Sequence, residues 1–504
     1  MFPHHTHLLY RRQFLIGPRA FSPTPHWRTL KLTHGLYLSV HPDLEIASSR
    51  STDSVLVLLG YAIDPYRPHA GSQNLVEEIT ATQTGARQVI SSTDAWSGRW
   101  VLIYMRGEDF LVFTDPCGLR QVYFFTNDEG VWCVSQPEII RANCRLEPNP
   151  EPGLQEFLSS PRFLKQGEWI GDKTRYLGCF HLLPNHSLDL RSGRPVRFFP
   201  SEELLLLAPD QAIQTTAQLL SGTISALVRR NPLMLPVTAG RDSRILLAAA
   251  REHLGSIYCY VDRKGVLRAD DPDVEVPVRL SGRLGFRFAV ENSTDDPTPA
   301  FMEVLSRNIT GARLLPKTRA IYAKLQREER RVNVNGNGGE LARNHYDPGM
   351  RVEERHLTAG TLASRCGYAG SRFAESELAS WLTNLPADRL GWKVLDLLYW
   401  EQRMGNWGAQ FPAEQDIAVE EVSPFNNRTI LTALLGVPAE HRVRPDYSLY
   451  SGLVEHLWPE ALSEPFNPRP KPTPFRRATG LITSALRRTA PEALVRLLKK
   501  ASGR

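Results

Sequence analysis

No cysteine precedes Cys117 in this 504-residue chain, and the six cysteines include no Cys-x-x-Cys pair. That scarcity excludes a disulfide framework, a zinc site built on paired cysteines and a sulfur-transfer centre, and it makes a reducing compartment the expectation. No apolar run reaches the eighteen or so residues of a membrane span. The start, Met1-Phe-Pro-His-His, has no apolar signal core, so the expected location is the cytoplasm. Charge of one sign is also missing. Sixty Lys and Arg against fifty-four Asp and Glu leave a net +6 spread widely along the chain, which argues against nucleic-acid binding. Neither the Gly-x-x-x-x-Gly-Lys-Ser/Thr phosphate loop nor the Gly-x-Gly-x-x-Gly dinucleotide fingerprint occurs. What is present suits a globular protein of two or three domains, with 42% hydrophobic residues to fill their cores.

The most informative stretch is residues 233–251. An apolar run, Leu233-Met-Leu-Pro-Val237, reads as a buried strand; Thr238-Ala239-Gly240-Arg241-Asp242-Ser243 is a turn of mostly small residues; Arg244-Ile-Leu-Leu-Ala-Ala-Ala-Arg251 is helical. Such a turn aims backbone N–H groups and the positive end of a helix dipole at one point, and small residues let phosphate oxygens come close. Asp242 alone would repel phosphate, so its expected work is to hold a divalent cation that bridges to the phosphate oxygens. A second strand-loop unit follows about one hundred residues on. Arg331-Val-Asn-Val-Asn335 alternates as a strand does and runs into Gly336-Asn337-Gly338-Gly339-Glu340. Between the two units lie apolar residues 256–261, a helical pattern over 270–284 with acids in its first turn, and an apolar run at 286–290, an alternation that suits a doubly wound parallel sheet.

The first turn resembles the Ser-Gly-Gly-x-Asp-Ser loop of the PP-loop ATP pyrophosphatases, with Thr238 for the first Ser and Ala239 for a Gly. The glycine loop is similar to the Gly-Glu-Gly-Ser-Asp loop of the asparagine-synthetase branch, with Glu340 on its Asp and Asn337 on its Glu. The resemblance implies an α/β PP-loop domain that binds ATP and Mg²⁺. The pyrophosphate would lie against residues 238–243, Gly336, Gly338 and Gly339, and the metal on Asp242 and Glu340. It further implies a cationic catalytic Lys in a C-terminal loop, here Lys471 in Asn467-Pro-Arg-Pro-Lys471-Pro-Thr-Pro-Phe475, with Arg469 as the fallback. Tyr399-Trp-Glu-Gln-Arg-Met-Gly405 and Ser423-Pro-Phe-Asn-Asn-Arg428 resemble the helical tail that frames the substrate side, which makes Arg403 and Arg428 expected partners of a carboxylate or phosphate.

The N-terminal third carries alternating strands over 97–104, 110–125 and 131–135 with an Asp-Pro-x-Gly turn. They resemble the N-terminal-nucleophile glutaminase sandwich that precedes the synthetase domain. Glutamine-hydrolysing members place a Cys directly after the initiator Met, where its own α-amino group is the base. Phe2 stands there in this chain, so the resemblance implies a retained scaffold without glutaminase activity and with no glutaminase nucleophile. The expected domains are an appended arm at 1–35, the degenerate glutaminase-like domain with its connector at 36–205, the PP-loop domain at 206–475 and a basic amphipathic helix at 476–504.

The implied function is an ATP-dependent, amide-forming ligase. It would activate a small-molecule or peptide carboxylate as an acyl-adenylate, release pyrophosphate, and deliver the acyl group to ammonia or an amine. Asn337 in place of Glu weakens the simple conversion of aspartate to asparagine. Two alternatives stay open: a catalytically inactive nucleotide-binding scaffold of the same fold, and an amidation or amination enzyme of cell-surface polysaccharide or natural-product synthesis. A homodimer, and weak contact of the C-terminal helix with an anionic membrane surface, are further expectations.

Overall fold

The computed structural model describes residues 3–33, 35–309 and 317–469; Lys471 and the segment 476–504 lie outside the described residues. Twelve described strands precede residue 200: β1 (Phe14–Gly17), β2 (Arg28–Thr33), β3 (Leu36–Val40), β4 (Ile46–Arg50), β5 (Ser54–Ile63), β6 (Ser97–Arg106), β7 (Asp109–Thr114), β8 (Tyr123–Asn127), β9 (Gly130–Val134), β10 (Phe180–His181), β11 (His186–Asp189) and β12 (Pro195–Arg197). They make two six-stranded antiparallel sheets, ordered β10-β8-β9-β1-β3-β2 and β12-β11-β7-β6-β5-β4. The period of two along each strand decides what lies between the sheets. From β5 and β6, Val57, Leu59, Val101 and Ile103 point inward to meet Phe14, Ile16 and Leu38. The alternate residues Leu56, Leu58, Trp100 and Leu102 point outward, where Leu75, Ile79 and Val89 of the helices Ser72–Thr82 and Ala86–Ser92 cover them.

Within the segment expected as an appended arm at 1–35, the described residues belong to the sandwich. They contribute β1, paired with both β3 and β9 inside the first sheet, and the edge strand β2. The sandwich therefore starts well before Leu36, and β3, where it was expected to begin, is its third strand.

The second half holds a five-stranded sheet of β13 (Leu233–Pro236), β14 (Ile257–Asp262), β15 (Phe288–Glu291), β16 (Val332–Val334) and β17 (Glu421–Val422), parallel throughout. Its order is β15-β14-β13-β16-β17. The chain thus winds outward from β13 to one edge, then returns across β13 to build the other. In such sheets the crevice outside the carboxyl ends of the strands opens where the winding reverses, here between β13 and β16. Among the described residues no helix is long and apolar enough to cross a membrane.

The two halves are joined through both apolar and charged contacts. Leu15, Trp132 and Val134 of the first sheet share a core with Met234 and Tyr260 of the parallel sheet. Beside it, Arg99 donates two bonds to Asp416, at 2.6 and 2.7 Å, and Arg120 donates to Glu420 at 2.7 Å. His181 of β10 lies at the same boundary, stacked on Tyr123 with ring centroids 4.7 Å apart. Its Nδ1 lies 2.9 Å from Asn406 Oδ1, and Asn406 Nδ2 donates to the Gly171 carbonyl, so the imidazole proton resides on Nδ1.

Burial pushes the His181 pKa down to about 4, against about 6.5 in an unfolded chain. Below pH 6.5 the unfolded chain takes up a proton that the folded one refuses, so stability falls as the pH drops from about 6.5 to about 4 and changes no further on this account below that. The expected loss is up to about 3 kcal/mol. Denaturation midpoints of His181→Gln should fall less than those of the native chain between pH 7 and 4.5; parallel curves would remove His181 as the cause.

Candidate functional site

The site grows from the ends of β13 and β16. After β13 the chain turns at residues 237–240 and enters the helix Arg241–Ala249, N-capped by Gly240. Ala239 keeps φ outside the left-handed region, so an alanine is tolerated at this turn. The turn is held by its own side chains. Thr238 N–H donates to Ser243 Oγ at 3.1 Å, Gly240 N–H to Thr238 Oγ1 at 3.2 Å, and Ala239 N–H to Asp273 Oδ1 at 3.1 Å. Three of the amides expected to grip pyrophosphate are therefore bonded within the protein. Helix geometry leaves the first-turn amides of Arg241, Asp242 and Ser243 for an external anion.

Asp273 is one of the acids of the helical pattern over 270–284 and carried no site expectation. It sits in the first turn of the helix Pro272–Leu284, and burial pushes its carboxyl upward, against the bond from Ala239.

After β16 the glycine loop interlocks with Asp242. A Cβ on Gly336 would lie 2.6 Å from Asp242 Cβ, and one on Gly339 would lie 2.8 Å from Asp242 Oδ1. Gly338, with φ +91°, supplies a conformation that side chains resist. The glycines thus serve the approach of the two loops to each other. Buried Glu421 of β17 braces the loop from below, accepting from Asn333 at 2.7 Å and from Asn335 at 2.6 Å. Asn335 Oδ1 in turn accepts the Asn337 amide at 3.0 Å, and Ser423 Oγ donates to the Asn337 carbonyl. Among the described residues the buried donor Asn337 Nδ2 has no partner.

A cleft of about 830 Å³ lies between the loops and brings together Thr238, Gly240, Asp242 and Ser243 from one side with Gly336, Asn337 and Glu340 from the other. Burial pushes the Glu340 carboxyl above the usual range, opposed by the Arg403 charge and a hydrogen bond with Tyr399. The far wall comes from the π-helical segment Tyr399–Gly408, which presents Tyr399, Arg403 and Trp407 to the cleft. Interruptions of this kind inside helices recur at functional sites because they re-aim side chains.

Several wall residues carried no sequence expectation: Arg343, His345, Tyr399, Trp407, Arg444 and Tyr447. Tyr399 opens the Tyr399-to-Gly405 motif and Arg343 follows the glycine loop by three residues, but nothing in their spacing aimed them here.

The two arginines expected to meet substrate are otherwise engaged. Arg403 borders the cleft, yet it donates to buried Glu168 at 2.6 Å and stacks on Trp407 at 4.3 Å. Arg428 is outside the cleft, 6% exposed, paired with Asp94 at 3.1 Å and stacked on Phe199 at 4.5 Å. Its segment docks on the sandwich instead: Asn426 Oδ1 accepts the Cys117 amide at 2.8 Å, and Asn426 Nδ2 donates to Asp115 at 2.7 Å. Lys471 lies outside the described residues. Arg469 is exposed, and Asn467, two residues before it, donates its amide to the Ala239 carbonyl at 3.0 Å.

Among the described residues no three His, Cys, Asp or Glu side chains converge on one point. Mg²⁺ bound with a polyphosphate needs fewer protein ligands, one or two carboxylates with phosphate oxygens and water completing the shell. Asp242 and Glu340 in one cleft fit that requirement, with one qualification: Arg343 donates to Asp242 Oδ1.

Two antiparallel layers joined to a doubly wound parallel sheet, with an acid-bearing cleft at the reversal point, define the class of this molecule. No family model matches the chain, and no curated protein matches it. Among solved structures it is similar to glutamine phosphoribosylpyrophosphate (PRPP) amidotransferase from B. subtilis complexed with ADP and GMP. That similarity has 12% identity and a TM-score of 0.23, and covers 67% of this chain and 73% of the other. At that distance the sheets and the cleft, not the likeness, carry the functional reading.

Proposed function

We propose that the protein is an ATP-dependent amide-forming ligase resembling asparagine synthetase, with a PP-loop nucleotide site and a glutaminase-like first domain. One observation carries the reading. Asp242 and Glu340, on loops leaving the adjacent parallel strands β13 and β16, face one cleft beside a helix N-terminus at the point where the winding reverses. In this reading the first-turn amides of the helix Arg241–Ala249 hold the pyrophosphate portion of ATP as the substrate carboxylate attacks the α-phosphorus. Asp242 and Glu340 would hold Mg²⁺, whose chemistry is to neutralise charge on the departing pyrophosphate. Asn337, which lines the cleft beside Glu340, stands in this reading next to the acid being activated. Lys471 is proposed as a further cation for the phosphates. An amine or ammonia then attacks the acyl carbon, forming the amide as AMP leaves and the nitrogen gives up a proton. Positioning and fixed charge supply most of the rate in such chemistry.

The test is pyrophosphate release by the purified protein with Mg²⁺–ATP and ammonium, across a panel of carboxylates headed by aspartate. Release that depends on one acid identifies the substrate. Nucleotide binding without release for any acid and amine favours the second reading, a non-catalytic nucleotide-binding scaffold. Two features support that alternative: the amides of residues 238–240 are already bonded internally, and Arg343 lies on Asp242.

A further inference from the structure

The Arg343–Asp242 pair is held from both sides. Asp242 is wedged against Gly336 and Gly339, where even a methyl group would not fit. The Arg343 guanidinium rests over the Tyr450 ring at 4.8 Å, and the Tyr450 hydroxyl fastens the glycine loop by donating to the Gly339 carbonyl at 2.8 Å. One residue earlier, the Ala342 carbonyl accepts from buried Arg442 at 3.2 Å. Arg343 is thus placed to reach Asp242 by the fold itself.

The guanidinium also has capacity to spare. Among the described residues its Nε, a buried donor, has no partner. It crowds other cations, because Arg241 is close enough to be affected by its charge and Arg444 borders the same cleft. A polyphosphate entering at the helix N-terminus offers that guanidinium a better partner, since phosphate oxygens accept from an arginine fork at least as well as a single carboxylate oxygen does.

We infer that Arg343 is the resident counter-ion of Asp242 and a latch on the cation site: it occupies Asp242 Oδ1 until a pyrophosphate group draws it away, so that divalent cation and polyphosphate bind together. The inference rests on the proposed nucleotide site and names the residue that couples its two ligands. Arg343 covers Asp242 in the free protein and pairs with the pyrophosphate once displaced. By linkage, pyrophosphate must tighten cation binding by the same factor as the cation tightens pyrophosphate binding.

The test uses the full chain, Mn²⁺ as the probe cation followed by electron paramagnetic resonance, and inorganic pyrophosphate as the anion. The native protein is expected to bind Mn²⁺ weakly alone and tightly with pyrophosphate. Arg343→Met should bind Mn²⁺ alone about tenfold more tightly than the native protein, with the coupling to pyrophosphate reduced by a similar factor. Arg343→Gln, which keeps a donor but not the charge, should behave like Arg343→Met and covers a folding failure of the latter. Asp242→Asn should lose the Mn²⁺ site in both conditions. Mn²⁺ affinity within twofold of native in both Arg343 variants overturns the latch, as does native protein that binds Mn²⁺ equally well with and without pyrophosphate. The two proposals fail separately. Coupled Mn²⁺ and pyrophosphate binding without adenylation leaves the latch and removes the ligase; adenylation with unchanged Mn²⁺ affinity in the variants does the reverse.

Discussion

Arg99→Met is expected to destabilise the protein by about 3–5 kcal/mol, the range for removing one partner of a buried ion pair. Arg99 is 2% exposed, and its guanidinium is fully committed: two bonds to Asp416 and one, from Nε at 2.9 Å, to the Leu119 carbonyl. Glu420 lies 3.3 Å from the same guanidinium and is also bonded by Arg120. With Arg99 gone, Asp416 keeps its burial and loses its counter-charge. The cost comes from that stranded carboxylate more than from the lost attraction, so Arg99→Met combined with Asp416→Leu should recover a large part of it. Denaturant midpoints of the single and double variants measure both steps. A single variant as stable as the native chain would mean that the apolar contacts around Leu15 and Met234 join the two halves unaided.

The parallel sheet was legible in the sequence because four of its described strands are short apolar or alternating runs, and β13 and β16 end in turns with their own chemistry. Residues 233–237, 256–261, 286–290 and 331–335 all became strands within a residue or two of those limits. Asp242 and Glu340 were likewise legible as a pair, since loops that leave neighbouring parallel strands at the same end must meet. The first sheet was harder. β1 has only four residues, set between arginines and a Gly-Pro, and four of the six residues of the edge strand β2 are exposed, so neither carries a clear inside and outside. The fates of Arg403 and Arg428 were not legible at all. Their partners Glu168 and Asp94 come from 235 and 334 residues earlier, and only the assembled fold reveals that both guanidiniums are spoken for. The aromatic wall of the cleft has the same origin, because a π-helical segment shifts the face that periodicity would assign to Tyr399 and Trp407.

The second large effect is expected at Gly336. An alanine there places its methyl 2.6 Å from Asp242 Cβ, far inside contact distance, and the next nearest atoms are Asp242 backbone, at 3.6 Å. Relief by swinging a flexible side chain is therefore closed. Relief by separating the loops is resisted too, because β13 and β16 are paired in register, Leu233 with Val332 and Met234 with Asn333, immediately before the loops begin. The strain must fall on the cleft, moving Asp242 relative to Glu340. We expect Gly336→Ala to lose at least about a hundredfold in pyrophosphate release or affinity, since misplacement by about 1 Å has that effect in positioned chemistry. Overpacking should cost about 1–3 kcal/mol of stability. Gly240→Ala is the matched comparison. Its methyl would meet Thr238 Oγ1 at 3.2 Å, with Asn467 Oδ1 at 3.8 Å and Ser243 Oγ at 3.9 Å in ordinary contact, and Gly240 already has an ordinary φ, so its effect should stay within about threefold, well under 1 kcal/mol of binding. Calorimetric titration with pyrophosphate, beside circular dichroism of each variant, separates a damaged site from a damaged fold. Equal affinity in the two variants would mean that the interlocked glycine loop shapes the backbone without shaping the anion site, and the pyrophosphate would then have to be held by the helix Arg241–Ala249 alone.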